Sequence, residues 1–253
     1  MMRNTFYICA LLLALSISSF GQKKKKVAAT KDAILVFSKT KGYRHASIPK
    51  GKEALMLMGQ QNRFAVDTTE DASVFTLENL KKYKAVVFLS TTGNILDDAQ
   101  QAAFEQYIRG GGGFVGIHAA ADTEYDWPWY NQLVGAYFLS HPKQQNVDIV
   151  VHDHNHPSTS MLPDRWKRFD ELYSYKKIIL GIKVLATLDE STYQGGANGV
   201  NHPFIWYREF DGGRSFYTGG GHTDESYVEP LFVQHLLGGI EYAIGRKSVK
   251  KPM

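Results

Sequence analysis

Three histidines occupy positions that suit chemistry. His118 ends the run Gly111-Gly112-Gly113-Phe114-Val115-Gly116-Ile117-His118, where a glycine cluster leads into a short apolar strand that stops at an imidazole among alanines. His45 follows the apolar run 33–37 by a short loop, and His222 follows residues 215–218 through three glycines. In an open α/β sheet, ligands bind beyond the carboxyl ends of the strands. A side chain delivered there on a sharp strand-to-helix turn is presented much as a nucleophile elbow presents its own. An imidazole in that place can ligate a metal or move a proton, and is a poor candidate for a stable acyl intermediate. If the three strands run the same way, all three rings emerge at one sheet edge. Three neutral nitrogens there suit Zn²⁺ with an open position for water or substrate, and nickel, manganese or iron are alternatives. Taken singly, each histidine reads as a hydrogen-bonded loop residue, so it is the set that points to a metal.

Other residues could share the work. Asp122 lies four residues past His118, and it is either the N-cap of a helix or a carboxylate that orients a histidine or acts as a base. The acid pair Asp170-Glu171 precedes apolar Leu172-Tyr173. It reads by itself as a solvated edge, with Glu171 the candidate general acid/base or hydroxyl-binding group. His152, His154 and His156 alternate and would share one face of an extended chain, but Asn155-His156-Pro157 spells a turn, so a solvated loop is expected. His141-Pro142 belongs at a cleft rim, and His202-Pro203 opens a strand in a structural or a cleft role. Glu124 and Asp126 read as surface or loop acids. Sugar rings rest apolar C–H faces on aromatic planes, while their hydroxyls need polar partners. Tyr43, Arg44, Trp127 and His141 are accordingly the candidate substrate contacts, and Trp129 and Tyr130 read as core. The glycine runs 110–113 and 219–221 carry neither the lysine and Ser/Thr of a phosphate loop nor a dinucleotide fingerprint, so nucleotide binding is not expected. The chain has no Gly-x-Ser-x-Gly run, which leaves no elbow for a serine hydrolase.

The elements that must place these residues follow from apolar patterning. Residues 33–37, 85–89 and 113–117 are continuous apolar runs of the kind buried on both faces of a parallel sheet. Helical spacing between them marks residues 51–61 and a second helix starting at Asp97 or Asp98 and ending at Gly110. Strand and helix alternating in this way imply right-handed βαβ units. Strands are also expected at 147–151 and 184–188. Residues 204–207 and 215–218 flank Asp211-Gly212-Gly213 as a hairpin, and a closing helix covers 229–245. The expected fold is α/β: a three-layer sandwich with a mainly parallel central sheet and an antiparallel edge addition, in one domain over residues 33–246.

The 253 residues carry 29 Lys and Arg against 25 Asp and Glu, a net charge of +4 that owes much to the lysine run 23–26. No other basic face interleaved with aromatics stands out, which argues against nucleic acid. Arg3, the apolar stretch 7–15 and small residues before Gln22 read as a signal peptide over residues 1–21, followed by a basic linker at 22–32, with a tail at 247–253. Export to a periplasm-like space is expected, with no transmembrane helix once the signal is removed. The one cysteine, Cys9, lies within that segment. The mature chain would then hold no disulfide, thiolate ligand or cysteine nucleophile.

Gly42-Tyr43-Arg44-His45, residues 111–122, Phe169-Asp170-Glu171-Leu172-Tyr173, His202-Pro203 and Tyr217-Thr218-Gly219-Gly220-Gly221-His222-Thr223 together resemble the ThuA-like, or trehalose-utilisation, family. The resemblance runs from about residue 33 to 245. It implies a class I glutamine amidotransferase-like (flavodoxin-like) fold, an association with bacterial sugar catabolism through 3-keto-glycosides, and a metal held in some relatives. It also raises Glu171, which falls on a family position. In the amidotransferases the elbow carries a cysteine. Here it carries His118, so that reaction is not expected. The expected function is an exported, metal-assisted enzyme acting on a glycoside or 3-keto-sugar by elimination, hydrolysis or isomerisation. His45, His118 and His222 would be its metal ligands, and His118, His222, Glu171 and Asp122 its catalytic residues. The alternative is a non-catalytic carbohydrate-binding protein acting with a partner enzyme.

Overall fold

The computed structural model describes residues 32–246. The stretches expected to be a signal peptide, a basic linker and a tail lie outside the described residues, apart from Asp32. The elements in chain order are β1 (Asp32–Phe37), α1 (Ile48–Asn62), β2 (Phe64–Thr69), α2 (Leu77–Leu80), β3 (Ala85–Leu89), α3 (Asp98–Arg109), β4 (Gly113–Ile117), α4 (Pro128–Val134), β5 (Tyr137–Ser140), β6 (Gln145–Val151), β7 (Arg165–Asp170), β8 (Ser174–Lys176), β9 (Lys183–Leu188), β10 (Pro203–Phe210), β11 (Gly213–Thr218) and α5 (Pro230–Ala243).

Nine strands form one sheet in the order β2-β1-β3-β4-β11-β10-β9-β6-β7. The first five are parallel throughout, and β10, β9, β6 and β7 continue the sheet antiparallel. The fold is therefore the expected α/β sandwich, with an antiparallel part broad enough to form a wing. A second, two-stranded sheet pairs β5 with β8. The hairpin is present, and β11 turns back from it to lie parallel to β4, with Phe216 opposite Val115. This geometry makes β1, β4 and β11 point the same way, as the histidine argument requires.

Successive side chains of a strand leave opposite faces of the sheet, and the core divides accordingly. Ile34, Val36, Val87 and Val115 pack on one face with Leu55 of α1 and Leu236 and Ile240 of α5. Leu35, Phe37, Val86, Phe88 and Phe114 pack on the other with Phe104 of α3 and Tyr130 and Leu133 of α4. Every residue of β3 and β4 is buried. The start of α3 is fixed by a capping box, in which the Asp97 side chain accepts from the Gln100 N–H and the Gln100 side chain reaches back to the Asp97 N–H.

The wing does not run straight. Trp166 Nε1 of β7 donates to Glu229 Oε1 at 3.0 Å and Arg168 donates to Glu229 Oε2, immediately before α5. The far edge strand therefore curls round the start of α5 and returns Asp170 and Glu171 to the carboxyl edge of the parallel strands.

Three expectations are corrected here. Trp127 is buried, stacked with Trp129 and Tyr130, and its indole N–H donates to Glu105. It belongs to the α3–α4 packing and presents no exposed ring face. Glu124 is buried as well. Its carboxylate accepts the backbone N–H groups of Ile95 and Leu96, each at 2.7 Å, and the Gln101 amide at 2.9 Å. His156 lies against Phe216, Tyr207 and Tyr242 and is buried, whereas His152 and His154 are exposed as a solvated loop requires. Among the described residues no helix is long and apolar enough to cross a membrane.

Candidate metal centre

His118 sits at the end of β4 with φ +51°, the left-handed region that non-glycine residues avoid. Strain of this kind persists where surrounding structure enforces it. Here the Tyr217 hydroxyl donates to the His118 carbonyl at 2.7 Å, and the ring Nδ1–H donates to the Gly219 carbonyl at 2.9 Å. That second bond leaves the Nε2 lone pair of neutral His118 pointing the other way. It meets Glu171 Oε2 at 3.3 Å and His222 Nδ1 at 3.2 Å. His222 Nδ1 lies 3.0 Å from the same oxygen. A lone pair set against a carboxylate is repulsive unless a cation, a proton or a metal ion, lies between them.

His45 completes the group. Its ring is 2% exposed and meets those of His118 and His222 edge-on at 4.8 and 5.0 Å. Its Nδ1 is buried and has no hydrogen-bond partner among the described residues. One donor atom from each of His45, His118, Glu171 and His222 lies within 4.8 Å of the others. A tetrahedral ion with bonds of about 2.0–2.1 Å holds its donors about 3.4 Å apart, close to the 3.0–3.3 Å separations among His118, His222 and Glu171. The group could therefore hold a metal ion. The hydrogen bond from His118 Nδ1 to a backbone carbonyl is also what fixes the tautomer of a ligating histidine.

The charges agree with this geometry. Burial, then the nearby His118 and His222 rings, push His45 down to about 3, which keeps its imidazole neutral. Burial alone would raise the Glu171 carboxyl. Contacts with His118 and His222 outweigh it and hold Glu171 well below the usual carboxylate range; with those rings neutral, a cation among them would supply the positive charge the carboxylate needs. Neutral imidazole and ionised carboxylate are the metal-binding forms.

A family model described as ThuA, trehalose utilisation, matches residues 33–243. The chain belongs to the ThuA family. That membership points to sugar catabolism. No curated protein matches this ThuA chain. Among solved structures, a ThuA-like protein from Bacteroides uniformis shares 24% identity with a TM-score of 0.73, over 88% of this chain and 95% of its own. A ThuA-like protein from Parabacteroides merdae shares 21% with a TM-score of 0.70, over 87% of this chain and 93% of its own. A β-galactosidase from Bacillus circulans shares 16% with a TM-score of 0.55 over 87% of this chain but 32% of its own. These likenesses are of fold.

The ThuA chain brings four of its expected site residues into one group and leaves others at its margin. Glu171, expected to move protons, stands among the metal donors. His141 lies on the open side: its side chain is 41% exposed and its Nδ1 is 3.1 Å from Glu171 Oε1. Tyr43 is 66% exposed and touches the His45 ring edge-on at 4.9 Å. Arg44 points away into a bidentate pair with Glu70. Asp122 ends a short 3-10 turn, His118–Asp122, and caps no helix. Its carboxylate accepts the Tyr125 hydroxyl at 2.6 Å, and burial raises its pKa. His202 is structural, donating or accepting through both ring nitrogens to Tyr173, Tyr193 and Glu190. Two residues escaped the sequence reading. Tyr173 lays its ring 4.4 Å from that of His118. Asp170 anchors the His222 turn. Both lie in the family stretch 169–173, which was the available signal.

Proposed function

We propose that this ThuA protein is a metal-assisted enzyme of sugar catabolism acting on a glycoside or 3-keto-sugar derivative, and that it works after export to a periplasm-like space. The observation that carries the chemistry is the convergence of three histidines and one glutamate at the carboxyl edge of the parallel strands, opening toward His141 and Tyr43. His45, His118 and His222 would hold the ion, with Zn²⁺ the best match to three imidazoles, and Glu171 would occupy the fourth position until a sugar oxygen displaces it and frees the carboxylate. Bound there, a divalent ion would polarise a sugar carbonyl or a vicinal hydroxyl pair and lower the cost of negative charge on oxygen.

The chain's own groups supply the remaining steps. Glu171 Oε1 faces the open side and is within reach of His141, so the pair can accept a proton from the carbon next to a ketone. In a 3-keto-glycoside that carbon is C2. Its C–H electrons form the C1–C2 double bond as the C1–O bond breaks, and the departing oxygen takes a proton. Water added across the new double bond completes hydrolysis; if the C1–O bond stays intact, the C2–H electrons instead form a C2–C3 enediolate, and protonation at C3 with loss of the C2 hydroxyl proton moves the ketone to C2, an isomerisation. Tyr43 offers an exposed ring face for the sugar. Asp122, tied to Tyr125, is the second carboxylate available to a proton.

A non-catalytic carbohydrate-binding role would need the aromatic stretch 125–130 as its sugar surface, and Trp127 and Tyr130 of that stretch are buried. The test is metal content of protein purified without added metal, with turnover of a 3-keto-glycoside, for the natural chain and for His118→Ala. Near-stoichiometric metal and turnover, both lost in the variant, are expected. Equal and negligible metal in both proteins would sink the metal half. Turnover unchanged in His118→Ala would sink the catalytic half.

A further inference from the structure

Asp170, one residue before Glu171, is fully buried. Its Oδ1 accepts the backbone N–H groups of Glu171 at 2.9 Å and His222 at 3.1 Å. Its Oδ2 accepts the Gly221 N–H at 3.0 Å, Arg168 Nη2 at 3.1 Å and the Ser226 hydroxyl at 3.3 Å. Two of these donors belong to the turn that carries His222, and one belongs to Glu171 itself. In the sheet, the strands leading to those two residues are separated by β10, β9 and β6. One carboxylate thus joins, across the fold, the backbone of two candidate ligands. The charge is balanced locally. Arg168, itself buried, pairs with Asp170 and Glu229, and its guanidinium lies over the rings of Trp166 and Phe232 at 4.6 and 4.3 Å.

We propose that Asp170 is a positioning residue that sets the spacing between Glu171 and His222 and so the affinity of the centre for a divalent cation; the affinity part rests on the metal reading above, and the positioning part does not. Partners behind a ligand typically tune metal affinity about 10- to 100-fold. A carboxylate that accepts five donors has no equivalent in an amide, whose NH₂ would face N–H groups.

The experiment compares the natural chain with Asp170→Asn in two measurements. Zn²⁺ affinity is read by competition with a chelating dye. Amide hydrogen exchange is read on metal-free protein. Asp170→Asn is expected to weaken Zn²⁺ about 10- to 100-fold. It should also speed exchange at Gly221 and His222 about 10-fold or more while β3 and β4 keep their protection. Loss of protection throughout β3 and β4 would indicate a merely structural role and overturn the proposal. Natural protection at Gly221 and His222 would overturn it as well. If the natural chain itself takes up no Zn²⁺, the metal reading fails and exchange alone decides on Asp170. Should Asp170→Asn fail to fold, the double variant Asp170→Asn/Arg168→Gln, which also removes the buried cation that Asp170 partners, is measured instead. Failure of both to fold makes Asp170 a folding group and also ends the proposal.

Discussion

Glu171 and His141 meet at 3.1 Å through Oε1, the carboxylate oxygen that His118 and His222 do not use. The carboxylate thus has one oxygen toward the histidine group and the other toward His141, whose side chain is partly exposed. The two residues should separate on substitution. Glu171→Gln is expected to reduce Zn²⁺ affinity about 10- to 100-fold and turnover with it. His141→Ala should keep the metal and lose about 10²-fold or more of turnover, the range for a missing general acid/base. Metal analysis and steady-state rates on both variants check this. Full turnover in His141→Ala would remove that residue from the chemistry.

Trp127 and Tyr43, which looked alike as sugar contacts, should behave oppositely. Trp127→Ala opens the α3–α4 packing and is expected to cost about 3–5 kcal/mol of stability. Tyr43→Ala, at an exposed ring, should change stability by less than about 0.5 kcal/mol and raise KM for the sugar. Urea unfolding with substrate titration distinguishes them, and a reversal of the two effects would refute the assignment.

Acid should destabilise the metal-free protein through buried neutral histidines. Burial holds His45 and His235 down to about 3 and His156 down to about 4. In the unfolded chain they titrate near 6.5. Above that value both states are neutral and the stability is fully present. As pH falls below 6.5 the unfolded state takes up protons first, so stability drains away until the folded-state values are reached. Each site contributes a loss of up to about 1.4 kcal/mol per pH unit. Urea midpoints at pH 7, 6 and 5 should fall in sequence, and a flat profile would contradict the burial argument.

Gly221 has φ +111°, and an added Cβ would lie 2.8 Å from the Tyr227 hydroxyl oxygen. Gly221→Ala is expected to cost about 1–3 kcal/mol and to weaken metal binding, because the neighbouring residue is His222. Thermal melts and chelator competition test both effects. A variant with natural stability and affinity would show that the turn tolerates a side chain.

The parallel half of the fold was legible because its strands are continuous apolar runs and its helices carry ordinary stops and caps, as at Asp97 and Gly110. The wing was less so. In β7, Arg168 and Asp170 face inward beside Trp166, and buried charges erase the alternation that marks a half-buried strand. β2, whose sequence is Phe-Ala-Val-Asp-Thr-Thr, is a largely exposed edge strand with little apolar signal. The convergence of His45, His118 and His222 could be anticipated because each follows a parallel strand. Glu171 could not be placed with them, since its position depends on the curl of β7 around α5, a long-range packing event with no local signature. Trp127 was misassigned because composition cannot say which ring of an aromatic cluster faces inward.

The Ser47 hydroxyl donates to the Gly221 carbonyl, joining points 174 positions apart in the chain. The four donor residues are spread over nearly the same span, from the first loop to the last. No fragment of the chain could assemble the centre, so occupancy by an ion would report that folding has been completed. The ion would also act as a clasp that preferentially slows the opening of a topology rich in distant contacts.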